Sequence, residues 1–336
     1  MKLLIVTQAV DDGDPVLGFF VRWVEELAKH AQQIEVICLK EGTHRLPANV
    51  RMYSLGKPAS RFWYIWNFYK YIFSLKYDAV FVHMNQEYVL LGGLFWRLWD
   101  KKVFLWRNHA HGDAGTRLAI FFSHKVFYTS SQSFTARFKK ALKMPVGIDT
   151  DFFTPDPLVS KKMNSILFLG RIAPVKKVEE FVEALSELQK LGVTFSATIA
   201  GAALPKDAEY EKTIRDSVSA HGLDEKVRFA GPVTREQARA LYREHALYVN
   251  LTPSGSMDKT ILEAMACGTP PLVFNPDLTE ELETDLVTDT LDAHALALLM
   301  RRTVGVSVRA DLRDIVVQRH SLTLLMNRLD SVLRSV

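Results

Sequence analysis

Short apolar runs alternate with helix-patterned segments from one end of this 336-residue chain to the other. In the first half KLLIVTQA, IEVICLK, VRMYSL, YDAVFVHM, KVFLWRNH and KVFYTS read as strands. In the second half SILFLGRI, FSATIAGAA, KVRFAGPV, LYVNLTPS and PPLVFN do so. Helical patterns lie between them. PVLGFFVRWVEELAKHA puts Phe20, Val24, Leu27 and Ala28 on one face. VEEFVEALSELQKLG ends at Gly192, a natural C-cap position. REQARALYREHA and KTILEAMACG continue the series. Parallel strands need a crossover, usually helical, and when buried on both faces they read as continuous apolar runs. The pattern therefore predicts α/β architecture with parallel, doubly wound sheets. Ligand sites belong at the C-terminal strand ends.

The length suits two domains. VGIDTDFFTPDPLVSKKMN clusters Pro, Asp and Lys between two periodic regions and marks the joint. We expect one domain over residues 1–155 and a second over 156–318. The helix-patterned tail 319–336, SLTLLMNRLDSVLRSV at its core, is expected to pack back on the first domain. A cleft between two such domains is a favoured place for a ligand.

Net charge is +4 overall but +7 over residues 1–155 and −3 over the rest. A basic first half points to an anionic partner, such as a membrane surface or a phosphate-bearing acceptor. Two cysteines, Cys38 and Cys267, exclude a disulfide framework and a cysteine-based metal site, and fit a reducing compartment. The opening MKLLIVTQAVDDGD is too short and too quickly acidic for a signal peptide. No apolar stretch reaches 18 residues, so no transmembrane helix is expected.

Four motifs then occur in a fixed order: SILFLGRIAPVKK, a GAA turn, VRFAGPV and PSGSMDKTILEAMACGTP. Their sequence resembles that of the retaining GT-B glycosyltransferases of family 4, and VGIDTDFFTP resembles the same enzymes' interdomain segment. The resemblance covers most of residues 145–275. The first half matches more loosely, through Gly18 and the WRNH segment. It implies GT-B architecture, with two Rossmann-like domains facing across a cleft. The C-terminal domain would hold a nucleotide-sugar donor and the N-terminal domain an acceptor, with retained anomeric configuration and no obligatory metal or other cofactor.

Arg171 and Lys176 follow a predicted strand in GRIAPVK. Fixed cations there would stabilise the charge that grows on a leaving diphosphate. Their family counterparts hold that diphosphate. Lys177 stands where the family often has Gly. Glu263 lies one turn into the helix that follows the Ser/Gly loop, and its counterpart binds the ribose hydroxyls. Two helix starts compete: Thr260 with Glu263 as a capping box, or Asp258 as N-cap. The second leaves Glu263 free and is preferred. The family's E-x7-E motif has its first Glu on the donor sugar; here that position is Gly255. Asp258 is the candidate substitute, and loss of activity is the alternative. Gly255 and Ser256 would allow close backbone approach to a phosphate. Lys259, Gly201 and Val233 complete the expected donor set.

In the first half, Gly18 would let backbone approach the reacting groups. His109 ends the strand KVFLWRN, where the family places a His near the transferred sugar, with His111 close by. His83, Asn85 and Glu87 are acceptor candidates. DxD patterns at Asp12–Asp14 and Asp149–Asp151 read as polar turns rather than metal sites. Five tryptophans fall between Trp63 and Trp106, interleaved with Arg and Lys. That segment reads either as core or as a membrane-facing surface. The charge asymmetry favours the surface, and with it a glycan or lipid-linked acceptor of cell-envelope polysaccharide synthesis. The expected location is the cytoplasm, or peripherally at the inner membrane face. A nucleotide-sugar epimerase or hydrolase and a non-catalytic nucleotide-sugar-binding protein are the alternative readings. No recognition motif supports nucleic-acid binding.

Overall fold

A computed structural model describes residues 1–14, 17–56, 60–253, 257–275, 278–279, 281–282, 284–304 and 309–335. The chain forms two compact units, Met1–Gly147 with Leu322–Val336, and Ile148–Ser321.

The first unit contains β1 (Lys2–Val10), α1 (Phe19–Ala28), β2 (Gln33–Glu41), β3 (Val50–Ser54), α2 (Arg61–Ser74), β4 (Ala79–His83), α3 (Gln86–Leu98), β5 (Lys102–Trp106), α4 (Ala114–Phe122), β6 (Lys125–Tyr128) and β7 (Ala141–Lys143). All seven strands run parallel in the order β3-β2-β1-β4-β5-β6-β7. Strand β1 shows why the apolar run is continuous. Leu3 and Ile5 join one core, while Leu4 and Val6 join the core on the opposite face. Strand β7 has no apolar run to announce it; its three residues are only half-buried at the sheet edge.

The second unit contains β8 (Lys162–Leu169), α5 (Val178–Lys190), β9 (Ser196–Ala200), α6 (Ala208–Ala220), β10 (Val227–Gly231), α7 (Arg235–Glu244), β11 (His245–Asn250), α8 (Lys259–Ala266), β12 (Pro271–Val273), α9 (Ala293–Thr303) and α10 (Ala310–His320). Its parallel sheet has the order β10-β9-β8-β11-β12. Helix α5 packs with α6 and α9, while α8 packs with α7 and α10.

Two boundaries differ from the sequence expectation. The first unit ends at Gly147, not at residue 155. Arginines of the second unit hold the following segment. Arg235 binds the Asp149 carboxylate at 3.0 Å, Arg243 the Thr154 carbonyl at 2.7 Å, and Arg313 the Thr150 and Phe153 carbonyls at 3.0 and 2.9 Å. A polar, Pro-containing segment reads as linker until those distant donors are known. At the far end, the switch back comes after Ser321, where the chain closes a parallel bridge to Ile148.

The last helix, α11 (Leu322–Ser335), belongs to the first unit. It lays Leu325, Met326, Leu329 and Leu333 into the core built by α1 and the sheet. Truncating a buried Leu removes its contacts and leaves a cavity. Leu329→Ala should lower stability by about 2–5 kcal/mol, measured as a lower denaturation midpoint. Leu324→Ala, on the 37%-exposed side of the same helix, should shift it by about 0.5 kcal/mol or less.

Candidate functional site

In the second unit the connections leaving β8 and β11 diverge to opposite sides of the sheet. The strand order therefore reverses between these neighbours, which opens a crevice at their C-terminal ends. Lys176 comes from the loop after β8, and Asp258 is the N-cap of α8 after β11. They meet there, Nζ to carboxylate, at 2.6 Å. Both side chains are mostly buried, 18% and 14% exposed.

Asp258 is committed on both oxygens. One accepts from the Thr260 backbone N–H at 3.3 Å and its hydroxyl at 2.8 Å. The other accepts from Lys176 and from Asn250 at 3.1 Å. Burial alone would raise this carboxyl, but the Lys176 charge and these hydrogen bonds outweigh it and hold Asp258 below the usual range. Asn250 also reaches the Tyr248 hydroxyl at 3.0 Å, which lies 2.7 Å from Thr260 Oγ1. Asn250 and Tyr248 were not singled out in the sequence. The available signal was a polar residue closing strand β11 after the run Ala246–Val249. The geometry makes Asp258 the group that positions Lys176; its oxygens are engaged before any sugar arrives.

The preferred helix start is the one observed, with Asp258 as N-cap. Glu263 is not tied into a capping box; it accepts a long 3.4 Å bond from the Tyr242 hydroxyl. Arg171 is exposed, with no carboxylate partner among the described residues. Gly170, Gly201 and Gly231 stand at the ends of three neighbouring strands. The Gly201 N–H donates to the Gly231 carbonyl at 2.7 Å. Gly201 has φ +130°, and a β-carbon there would overlap the Gly170 carbonyl oxygen. Its need for Gly is thus internal to the strand ends. Val233 is half-buried in the following loop. Gly255 and Ser256 lie outside the described residues.

Lys177 adopts φ +58°, a left-handed conformation that disfavours side chains. The position is one where the resembling enzymes often carry Gly, and the backbone supplies the reason. Lys177→Gly should stabilise the second unit by about 1 kcal/mol, seen as a higher melting temperature.

In the first unit the order reverses between β1 and β4. Gln8 and Asn85 bridge that point at 2.6 Å. His83 is buried at 1% exposure, stacked on Phe20 at 4.0 Å and bonded to Thr7 at 3.3 Å, so it belongs to the core rather than to an acceptor surface. Glu87 is exposed. Gly18 precedes α1, and a β-carbon there would lie 2.8 Å from the Asp14 carbonyl oxygen and 2.9 Å from that of Asp12. The backbone it approaches is its own loop. His109 is exposed, its Nδ1 accepting from the His111 N–H at 3.1 Å. Arg107, two residues earlier, was not singled out. It binds Gln86 at 2.9 Å and the His111 carbonyl at 3.0 Å, which fixes the loop that carries His109. Both DxD patterns form turns. Asp14 accepts from the Leu17 N–H and Asp149 from the Phe152 N–H.

The sequence profile described as Glycosyl transferases group 1 matches residues 149–303, and that described as Glycosyl transferase 4-like matches residues 12–110. The chain belongs to the group 1 glycosyltransferases. Among the relatives of this group 1 glycosyltransferase, D-inositol 3-phosphate glycosyltransferase of Paenarthrobacter aurescens is 31% identical over 147 residues, 39% of this chain and 34% of that protein. The same-named protein of Mycobacteroides abscessus is 28% identical over 132 residues, 37% of this chain and 29% of that protein. The aligned segment thus spans about a third of these relatives' length. Two solved structures share the GT-B fold. Anabaena HepE in complex with UDP and glucose superposes with TM-score 0.79 at 17% identity over 100% of both chains. Sucrose-phosphate synthase from Thermosynechococcus elongatus does so with TM-score 0.80 at 15% identity, over 99% of this chain and 98% of that one.

Lys259 and Glu263 sit one turn apart at the start of α8 in this group 1 glycosyltransferase. Burial pushes Glu263 up from 4.5 to about 7, against the pull of the Lys259 and Arg235 charges. Burial likewise pushes Lys259 down from 10.5 to about 7, against the pull of Glu263. The native state therefore holds more protons at Glu263 than the unfolded chain between pH 4.5 and 7, so this group's contribution to stability falls as pH rises through that window. Lys259 acts oppositely between pH 7 and 10.5, where the unfolded chain holds more protons and stability rises with pH. Melting curves across pH should show Glu263→Gln removing the downward component and Lys259→Met the upward one.

Proposed function

We propose that the protein moves a sugar from a nucleoside-diphosphate sugar to a hydroxyl of a glycan or lipid-linked acceptor, with retention at the anomeric carbon and no required metal. The observation that carries this reading is the Lys176–Asp258 pair at the sheet's switch point, with Glu263 one turn along α8. An ammonium has three N–H donors. Asp258 takes one and fixes the direction of the others, leaving two for diphosphate oxygens. Exposed Arg171 adds a guanidinium, which can grip two oxygens at once. Glu263 suits the ribose hydroxyls. The UDP and UDP-glucose complexes of HepE support a donor of this class, and the names of the relatives favour transfer over epimerisation.

In the proposed step the bond between the anomeric carbon and the diphosphate oxygen breaks, and the electron pair leaves with the diphosphate. The acceptor hydroxyl bonds to the same face, and its proton passes to a phosphate oxygen. The side chains contribute orientation and charge stabilisation. The first unit supplies the acceptor side, with exposed His109 as its candidate contact. The expected setting is the cytoplasmic side of cell-envelope polysaccharide synthesis.

One observation supports a second reading. The position of the family's first Glu is Gly255, and Asp258 is already engaged, so the protein could bind nucleotide sugars without transferring them. Transfer assays with UDP-, GDP- and ADP-sugars separate the two. Lys176→Ala alone strands Asp258 at a cost of up to about 3 kcal/mol, so Lys176→Ala with Asp258→Asn is the cleaner variant. Its kcat should fall by roughly 10²-fold or more while the melting temperature holds. Near-normal turnover would sink the assignment. Nucleotide binding by calorimetry with no turnover in the wild type would establish the second reading.

A further inference from the structure

Helices α2, α3 and α4 pack on one face of the first unit's sheet. Their outer surface does not look like that of an ordinary soluble layer. On α2, Phe62 is 70% exposed, Trp63 56%, Trp66 58% and Phe73 57%. On α3, Leu94 is 53% exposed and Leu98 73%; on α4, Leu118 is 48% and Phe121 60%. Trp96 and Trp106, from the same aromatic stretch of sequence, are buried core. The stretch therefore divides, and only part of it is surface.

Contacts join the exposed part from helix to helix. Phe73 of α2 meets Trp99, at the end of α3, with ring centroids 4.9 Å apart. Arg97 of α3 lies over the Phe121 ring of α4 at 5.4 Å. Scattered single apolar residues are normal on a surface; a joined patch of this kind marks an interaction site.

Charge selects the partner. Helices α2 and α4 contain no acidic residue, α3 has Glu87 in its first turn and Asp100 just past its end beside Lys102, and the exposed cations Arg61, Lys70, Arg97 and Arg117 are set among the aromatic and aliphatic side chains. A cavity of about 490 Å³ opens where Phe73 and Trp99 reach the patch edge, and Lys2, Lys76 and Lys101 line it. Asp78 is its acid, and one of that carboxylate's oxygens is occupied by the Lys2 backbone N–H at 2.7 Å. A two-fold pairing of chains would press this basic patch against itself, bringing like charges together. An anionic bilayer does the reverse. It takes tryptophan and phenylalanine at the headgroup–acyl boundary and attracts the interleaved cations.

We infer that the α2–α3–α4 face of the first unit docks on an anionic lipid surface, with the lysine-lined cavity at its edge receiving a lipid phosphate. This inference stands on the patch itself and does not depend on the transfer reaction.

The test is co-sedimentation of the full chain with phosphatidylcholine vesicles, with and without phosphatidylglycerol. The wild type should partition onto the anionic vesicles roughly tenfold more than onto the neutral ones, less so at high salt. Trp63→Ser/Trp66→Ser/Phe121→Ser should lose most binding to both. Lys70→Gln/Arg97→Gln/Arg117→Gln should lose chiefly the preference for the anionic lipid. All these positions are exposed, so melting temperatures should match the wild type; the second variant carries the test should the first fail to fold. Absence of wild-type binding to either vesicle overturns the inference, as does unchanged binding by both variants. A wild-type dimer dissolved by the first variant, or retention of the patch by an acidic protein instead of by vesicles, overturns it in favour of a protein interface.

Discussion

The ion pair between Lys176 and Asp258 is the constraint on which the candidate site depends. It forms only because β8 and β11 are neighbours whose connections leave in opposite directions, so that two loops 82 residues apart in sequence reach one crevice. A lone ammonium there would be a flexible point charge. Bonded to a carboxylate that is itself held by Asn250 and Thr260, it has a fixed direction. The same network sets the first turn of α8, which in turn places Lys259 and Glu263. Helix start, cation orientation and the buried pair are thus one structural feature.

Around that feature the backbone is tightly determined. Gly closes β10 and directly follows β8 and β9, and Gly201 has no room for a β-carbon against Gly170. Lys177 is the exception, a side chain held in left-handed backbone and anchored to Glu180 at 2.7 Å. In the first unit the equivalent switch point is closed by the Gln8–Asn85 bond, while His83 is withdrawn into an aromatic core.

Much of this was legible in the chain. The strands followed from apolar runs because a parallel strand is buried on both faces, as Leu3, Leu4, Ile5 and Val6 show. The N-cap at Asp258 followed from local chemistry, since a capping side chain reaches backbone two or three residues away. What was not legible depends on distant partners. The segment 148–156 reads as linker, yet it belongs to the second unit because Arg235, Arg243 and Arg313 fold over it from as far as residue 313. The aromatic stretch gives no sign of which side chains face the sheet. Buried Trp96 and exposed Trp99 differ by three residues.

By itself, then, the sequence determined the α/β class, the parallel sheets, most of the strands and the residues able to carry charge to a diphosphate. These rest on period, composition and short-range capping, which need no knowledge of the rest of the molecule. Only the tertiary structure decided that Asp258 spends its carboxylate on Lys176, that burial brings Lys259 and Glu263 together near pH 7, and that the aromatic segment divides into core and surface. Each of those depends on desolvation or on a partner far along the chain, and both come into being only when the chain has folded.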